Sequence, residues 1–277
     1  MSELAERFRE RYFGEAEHPY RTFEREVERL LRTDHTLLDA GCGREAPILQ
    51  KYRSKARRLI GVELVALSPS VEGIEFYQTD IAKLPLEDAS VDLVMSRSVM
   101  EHIEDPLNVY RELNRVMKPG GHFVFLTANF WDYAAIIASV VPNRFHPWIV
   151  AKTEGRAEED VFPTRYRTNT RVAVRRWANA TGFEIVSFRY LGQYPSYFMF
   201  NGLLFLLATG YEKLVSKVQP LNFLQGWILA VLRKGHAVSQ DIEPSNNEYP
   251  LSREQVSNRI ACLGGTPNTV DAYGVQA

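Results

Sequence analysis

Asp39, Gly41, Gly43, Glu63 and Asp80 are residues whose types and spacing could do chemistry together. Three of them lie in LLDAGCGREAP, residues 37–47, where an apolar run ends on an acid and two glycines follow one residue apart. A glycine turn between a strand and a helix lets a backbone come close to a ligand. Gly41-x-Gly43-x-x-Ala46 satisfies the fingerprint of a dinucleotide-binding turn. Glu63 follows about 20 residues on, where an acid that meets ribose hydroxyls belongs. Taken alone, the turn allows a nicotinamide or flavin enzyme, or a tight turn that holds nothing.

Two acids narrow the choice. Asp39 sits two residues before Gly41, where it would repel a diphosphate and attract a sulfonium cofactor with an amino-acid ammonium group. Asp80 ends a third apolar run, and a carboxylate there can accept a hydrogen bond from an adenine amino group. The stretches SVMEHIEDP and RELNRVMKPGG then follow in order.

Such residues need a scaffold, and the apolar pattern supplies one. Residues 19–32 read as an amphipathic helix, with Pro19 in its first turn and Phe23, Val27, Leu30 and Leu31 on one face. HTLLDAG reads as a short buried strand and PILQKYRSKA as a helix. RLIGVEL, ending near Glu63, IEFYQTD, ending at Asp80, and VDLVMSRSVM read as the next strands. PLNVYRELNRVMKPGG carries Leu107, Tyr110, Leu113 and Met117 at helical spacing and is expected to close at Pro119-Gly120-Gly121. HFVFLTAN is a fifth strand, TRVAVRRWANATGF a helix stopped by Gly182, EIVSFRYLG a sixth strand and WILAVLRK a seventh. Strands alternating with helices predict an α/β fold, a parallel sheet covered on both faces. Residues 1–235 are expected to form one domain with a hydrophobic helical insertion at about 195–225, and the polar, aperiodic 236–277 a disordered tail.

Composition sets further bounds. The chain has 277 residues, 45% hydrophobic and 24% charged, enough for a core that needs no staples. With a formal net charge of −1, no nucleic-acid partner is expected. Cys42 and Cys262 are far apart and form neither a disulfide framework nor a zinc cluster, so no metal is expected. Cys42 reads as a small buried filler of the turn. The opening MSELAERFRERYFGEAEHPYR is charged throughout and has no apolar core, so it is not read as a secretory signal, and a cytoplasmic location is expected.

The pieces LLDAGCG, GVEL, TDIAKLPLEDASVDLVMSRSVMEHIEDP and RELNRVMKPGGHFVF, from about 36 to 127, resemble the class I S-adenosylmethionine-dependent methyltransferases, specifically the type 11 methyltransferase domain. A weaker likeness continues to about 235. The resemblance implies a Rossmann-like sheet of seven strands, mostly parallel, with an antiparallel last strand and helices on both faces. It implies S-adenosyl-L-methionine as cofactor. Asp39, Gly41 and Gly43 match the motif at the methionine end; Glu63, with Leu64 beside it, matches the acid at the ribose. Asp80 and Ile81 match the pair at the adenine, and Ser96 to Val99, with Ser98 among them, the segment that passes beside the cofactor. Glu45 departs from the pattern, standing where many members have a third glycine. His102, in the matching Glu101-His102, is either a general base near the methyl group or a packing residue at a helix start. Asn129, Tyr133, Tyr166 and Arg167 are further candidates to face an acceptor, and each could equally be structural.

Residues 197–218, YFMFNGLLFLLATGYEKLVSKV, are particular to this chain. They are apolar on every side at first and too short and interrupted to span a bilayer. Between 165 and 189 stand six arginines against one acid, Glu184. A basic stretch beside an apolar helix suits the inner face of an anionic membrane; a lid over the acceptor or a homodimer interface would use the same residues. The expected function is methylation of a small-molecule or lipid-linked acceptor, such as a lipid-carried sugar or a prenylated ring. A cofactor-binding protein without turnover, motivated by Glu45, is the alternative. A nucleic-acid methyltransferase is disfavoured, because no Asn-Pro-Pro-aromatic motif for a flipped base is present.

Overall fold

The structure, a computed structural model, describes residues 2–14, 18–66, 72–133 and 163–235. The tail 236–277 lies outside the described residues. Seven strands form one sheet: β1 (Thr36–Ala40), β2 (Arg58–Glu63), β3 (Glu75–Gln78), β4 (Val91–Arg97), β5 (Met117–Ala128), β6 (Phe183–Leu191) and β7 (Trp227–Lys234). Their order is β3-β2-β1-β4-β5-β7-β6. Neighbours from β3 to β5 run parallel, and β7 lies antiparallel between β5 and β6.

The helices among the described residues are α1 (Glu3–Phe13), α2 (Pro19–Leu30), α3 (Pro106–Val116), α4 (Arg171–Ala180) and α5 (Gly202–Lys217). Strand alternation sorts the core into two layers. Leu38, Val94 and Phe123 point to one face, under Tyr110 and Leu113 of α3 and Val174 and Trp177 of α4. Leu37, Leu93, Met95 and Val124 point to the other, under Phe23 and Val27 of α2. Helix α2 starts where Pro19 takes the first position and the His18 ring nitrogen Nδ1 accepts from the Tyr20 N–H at 3.2 Å.

Three readings of the sequence need correction. PILQKYRSKA forms only a 3₁₀ turn, Leu49–Tyr52. One turn is enough to bury Ile48, Leu49 and Tyr52, and the chain then turns back with Lys55 N–H donating to the Tyr52 carbonyl at 2.9 Å. Pro119-Gly120-Gly121 does not close a helix, because α3 ends at Val116 and passes directly into β5. The Pro-Gly-Gly instead absorbs a register shift against β4, with Gly120 at φ +79°, and a Cβ on Gly121 would stand 2.9 Å from the Asp92 carbonyl oxygen. Helix α1 was not anticipated at all. It buries Ala5 and packs Phe8 and Phe13 around Met199 and Phe205. Gly202 opens α5 where a Cβ would stand 2.7 Å from the Leu4 side chain, so this crossing is close.

Candidate active site

At the C-terminal edge of the sheet, strand parity puts three charged residues on the α2 face. Asp39 of β1 stands opposite Gly61 of β2 and Met95 of β4. Glu63 and Arg97 lie two residues beyond those partners, on the same side as Asp39. Asp39 is 1% exposed and its Oδ2 has no hydrogen-bond partner. Burial pushes its pKa up to about 7; Arg97 pulls against that and Glu63 adds to it.

The glycine turn follows directly. Gly41 and Cys42 donate their N–H groups to the Val62 carbonyl at 2.9 and 3.1 Å. Gly41 (φ +89°) is required by packing as well as by backbone conformation, since a Cβ would meet Val99 Cγ2 at 2.2 Å. Gly43 (φ +71°) is different: a Cβ there would meet nothing within 4 Å. Its N–H donates to Glu63 Oε2 at 2.8 Å, and the Leu64 N–H donates to Oε1 at 2.9 Å, while the Leu64 side chain is exposed. Cys42 is buried, and burial together with Asp39 pushes its thiol pKa up, as befits filler rather than a nucleophile. Glu45 is exposed and does not fill the turn.

The remaining predicted residues divide. Asp80 is exposed and its Oδ1 accepts from Ala82 N–H at 2.8 Å, capping the turn after β3, with Ile81 buried beside it. Ser96 is fully buried and donates its hydroxyl to the Ala40 carbonyl at 2.8 Å, tying β4 to β1. Ser98 takes a left-handed conformation (φ +57°), and its buried hydroxyl has no partner. It lines a cavity of about 310 Å³ with His102, Ala128, Tyr197, Trp227 and His18. His102 holds Nδ1 3.3 Å from the Pro163 carbonyl oxygen; a carbonyl only accepts, so Nδ1 carries the proton and Nε2 is the basic nitrogen. Beneath the cavity, buried Glu101 Oε2 accepts from the Thr127 hydroxyl at 2.7 Å, and Asn169 Nδ2 donates to Thr127 Oγ1 at 2.7 Å.

Three of the other acceptor-facing candidates are engaged with the backbone. Asn129 is buried and donates Nδ2 to the carbonyls of Phe223 and Gln225, holding the end of β5 to the segment after α5. Tyr166 is buried and donates its N–H to the Glu101 carbonyl at 3.0 Å, and Arg167 donates to the Glu104 carbonyl. Tyr133 stacks with Phe198 and meets Tyr211 edge-on, and is not among the residues lining the 310 Å³ cavity. His18 and Trp227 were not anticipated, and Arg97 fell inside the expected segment Ser96 to Val99 without being singled out. Parity along β4 points to Arg97 once the register with β1 is known. Nothing in the sequence brings His18 and Trp227 to the same wall.

Comparison with known proteins bears on the family and the fold. Residues 38–125 match the family model of a methyltransferase domain. A protein of Mycolicibacterium smegmatis named "Probable S-adenosylmethionine-dependent methyltransferase" is 37% identical over 98 residues, 34% of this chain and 38% of that protein. A ubiquinone biosynthesis O-methyltransferase of Acinetobacter baumannii is 34% identical over 104 residues, 34% of this chain and 44% of the relative. The chain thus spans less than half the length of these curated relatives. Among solved structures, the YcgJ protein of Bacillus subtilis superposes with a TM-score of 0.51 at 16% identity, covering 79% of this chain and all of that one. The [4+2]-cyclase SpnF does so with a TM-score of 0.50 at 20% identity, covering 78% of this chain and 81% of that one. These two likenesses establish the fold and no more. The family match falls on the glycine turn, the strand-edge acids and β4, and residues 38–125 are thus a methyltransferase domain of the class I, S-adenosylmethionine-dependent kind.

Proposed function

We propose that the protein transfers a methyl group from S-adenosylmethionine to a small-molecule acceptor held in the 310 Å³ cavity, and that this acceptor is lipid-linked. One observation carries the first part: a buried Asp39 oxygen without a partner stands beside a glycine turn with open space at Gly43. Such an oxygen is costly unless a cation meets it. The cofactor supplies a methyl group on a sulfonium, a leaving group so good that the protein's task is mainly alignment. Asp39 receives the amino-acid ammonium. Glu63, held by two backbone N–H groups, presents its carboxylate to the ribose. Asp80, with Ile81 as an apolar wall, accepts from the adenine. His102 Nε2 takes the proton when the acceptor is a hydroxyl or an acidic carbon.

Helix α5 favours a lipid-linked acceptor. Its inner side, with Phe205 and Val215, is buried, but Leu203 and Leu207 are each 65% exposed and Leu214 is 53% exposed. They lie on one stripe of the helix. Tyr197, in the turn that precedes α5, lines the cavity, so the chain runs from the cavity wall into this helix. Two of the six arginines, Arg165 and Arg189, are already in ion pairs with Glu104 and Glu26, so the apolar stripe rather than the basic stretch carries this reading. Among the described residues no helix is long and apolar enough to cross a membrane.

Incubation with methyl-labelled S-adenosylmethionine and a lipid extract should move label into an extractable lipid. Label confined to water-soluble products would remove the lipid-linked acceptor, and no transfer to any fraction would remove the enzyme reading. Leu203→Ser, Leu204→Ser and Leu207→Ser combined should release the protein from anionic vesicles in flotation and spare cofactor binding. A wild type that stays with the soluble fraction at low salt would refute the attachment.

A further inference from the structure

Arg97, the last residue of β4, is a mostly buried cation with unused donors. Its side chain is 21% exposed, and its ion pair with Glu24 is 3.8 Å long, beyond hydrogen-bond range. Glu24 is held more tightly by Lys51, at 2.6 Å, and also by Arg21, at 3.4 Å. Among the described residues the Arg97 guanidinium makes no hydrogen bond. It lies over the Tyr20 ring, 4.2 Å from the centroid, which fixes where the group sits. An arginine held in place with its donors unspent calls for an anion.

Asp39 shows the complementary deficiency. Register puts it one strand over and two residues back, on the same face, with Oδ2 buried and unpartnered. Asp39 and Arg97 do not satisfy each other, since no ion pair within 4.0 Å joins them among the described residues. A simple cation would suit Asp39 but be repelled by Arg97. A phosphate would suit Arg97 but meet both Asp39 and Glu63. An α-amino acid suits both, because it carries an ammonium and a carboxylate on one carbon.

We propose that Arg97 binds the carboxylate of the cofactor's amino-acid end, so that Asp39 and Arg97 form a two-point clamp for a zwitterion. The proposal rests on S-adenosylmethionine being the cofactor, and it adds the residue that recognises the carboxylate. Tyr20 orients the guanidinium from α2, which gives that helix a part in the cofactor site. Arginine suits the task better than lysine, since its fork can engage both carboxylate oxygens.

The experiment is calorimetric titration of wild type, Arg97→Gln and Arg97→Lys with three ligands: S-adenosylmethionine, S-adenosylhomocysteine and 5′-methylthioadenosine. The first two carry the amino-acid end, the second without the sulfonium charge, and the third lacks that end altogether. Arg97→Gln should lose about 10- to 100-fold for the first two and nothing for the third, the range expected for charge-assisted hydrogen bonds. Arg97→Lys should recover part of the loss and guards against a glutamine variant that fails to fold. Unchanged affinity for S-adenosylmethionine in both variants, or an equal loss for all three ligands, would overturn the clamp. A wild type that binds none of the three would overturn the cofactor reading itself.

Discussion

The sharpest separation of ligand space from packing space is between two glycines two residues apart. Both lie at positive φ, where an alanine is strained by about 1–2 kcal/mol. Replacing glycine also restricts the unfolded chain, which returns about 0.4–1 kcal/mol. At Gly43, where a Cβ meets nothing within 4 Å, these are the only terms. Gly43→Ala should therefore destabilise by about 0.5–1 kcal/mol, a fall in Tm of about 1–4 °C for a domain of this size. At Gly41 the Cβ would come within 2.2 Å of Val99 Cγ2, adding an overpacking cost of about 1–3 kcal/mol. Gly41→Ala should melt clearly lower, and any loss of binding there is confounded by packing. Gly43→Ala should stay folded yet lose more than tenfold in S-adenosylmethionine affinity, about 1.4 kcal/mol or more, because the methyl group enters the space the cofactor needs. Differential scanning calorimetry and isothermal titration on the same preparations test both numbers. Wild-type affinity in Gly43→Ala would refute the claim that the open side of the turn is the binding side.

Two further outcomes follow from the geometry. Glu63→Gln leaves one of the N–H groups of Gly43 and Leu64 facing an amide donor, and should weaken binding by about 1–3 kcal/mol. Since the ribose is common to both ligands, titration should show the same loss for 5′-methylthioadenosine as for S-adenosylmethionine; a loss confined to the latter would move Glu63 to the amino-acid end. Glu212 of α5 is buried beside a cavity of about 470 Å³ near α1, and burial, with Asp132 adding, raises its pKa from 4.5 to about 8. The folded state thus holds the proton more tightly than the unfolded chain. Its stabilising effect is complete below pH 4.5 and is lost as pH rises through 8. Each pKa unit is worth about 1.4 kcal/mol, so wild type should fall against Glu212→Gln by at most about 5 kcal/mol across that window. Urea unfolding of both proteins at pH 5, 7 and 9 measures it, and a difference independent of pH would show that Glu212 does not titrate in the window.

Most of the sheet was legible because its strands are short apolar runs. LLDA, LIGVE and VDLVMSR each appear as a strand within a residue or two of the expected place. Helix α1 was hidden because the stretch ELAERFRERYF is mostly charged; its few apolar residues gain their meaning only from α5, which lies nearly 200 residues later and supplies Phe205. PILQKYRSKA misled in the opposite sense, since helical spacing of three apolar residues is also satisfied by a single turn. The acids of the candidate site could be named because each lies at or within two residues of the C-terminal end of a strand. The aromatic and basic partners could not, because Tyr20, His18 and Trp227 reach the site only through the docking of α2 and the antiparallel entry of β7.

The topology explains why a cofactor site and an acceptor cavity would have to adjoin. The strand order turns back at β1, with β2 and β3 to one side and β4 and β5 to the other, and the connections leaving β1 and β4 part there to open a crevice. The turn with Gly41 and Gly43 forms one lip. The end of β4 forms the other, and consecutive residues of it face different spaces. Arg97 points to the α2 face with Asp39, whereas Ser98, with its left-handed backbone, lines the 310 Å³ cavity with His102. On the proposed reading, one step along the chain passes from the group that would hold the donor's amino-acid end to the wall of the acceptor's pocket. Displacement of β4 at that step would misalign donor and acceptor together. That gives a mechanical reason for the Ser96 hydroxyl bond to the Ala40 carbonyl, which ties the end of β4 to β1 immediately before the two paths diverge.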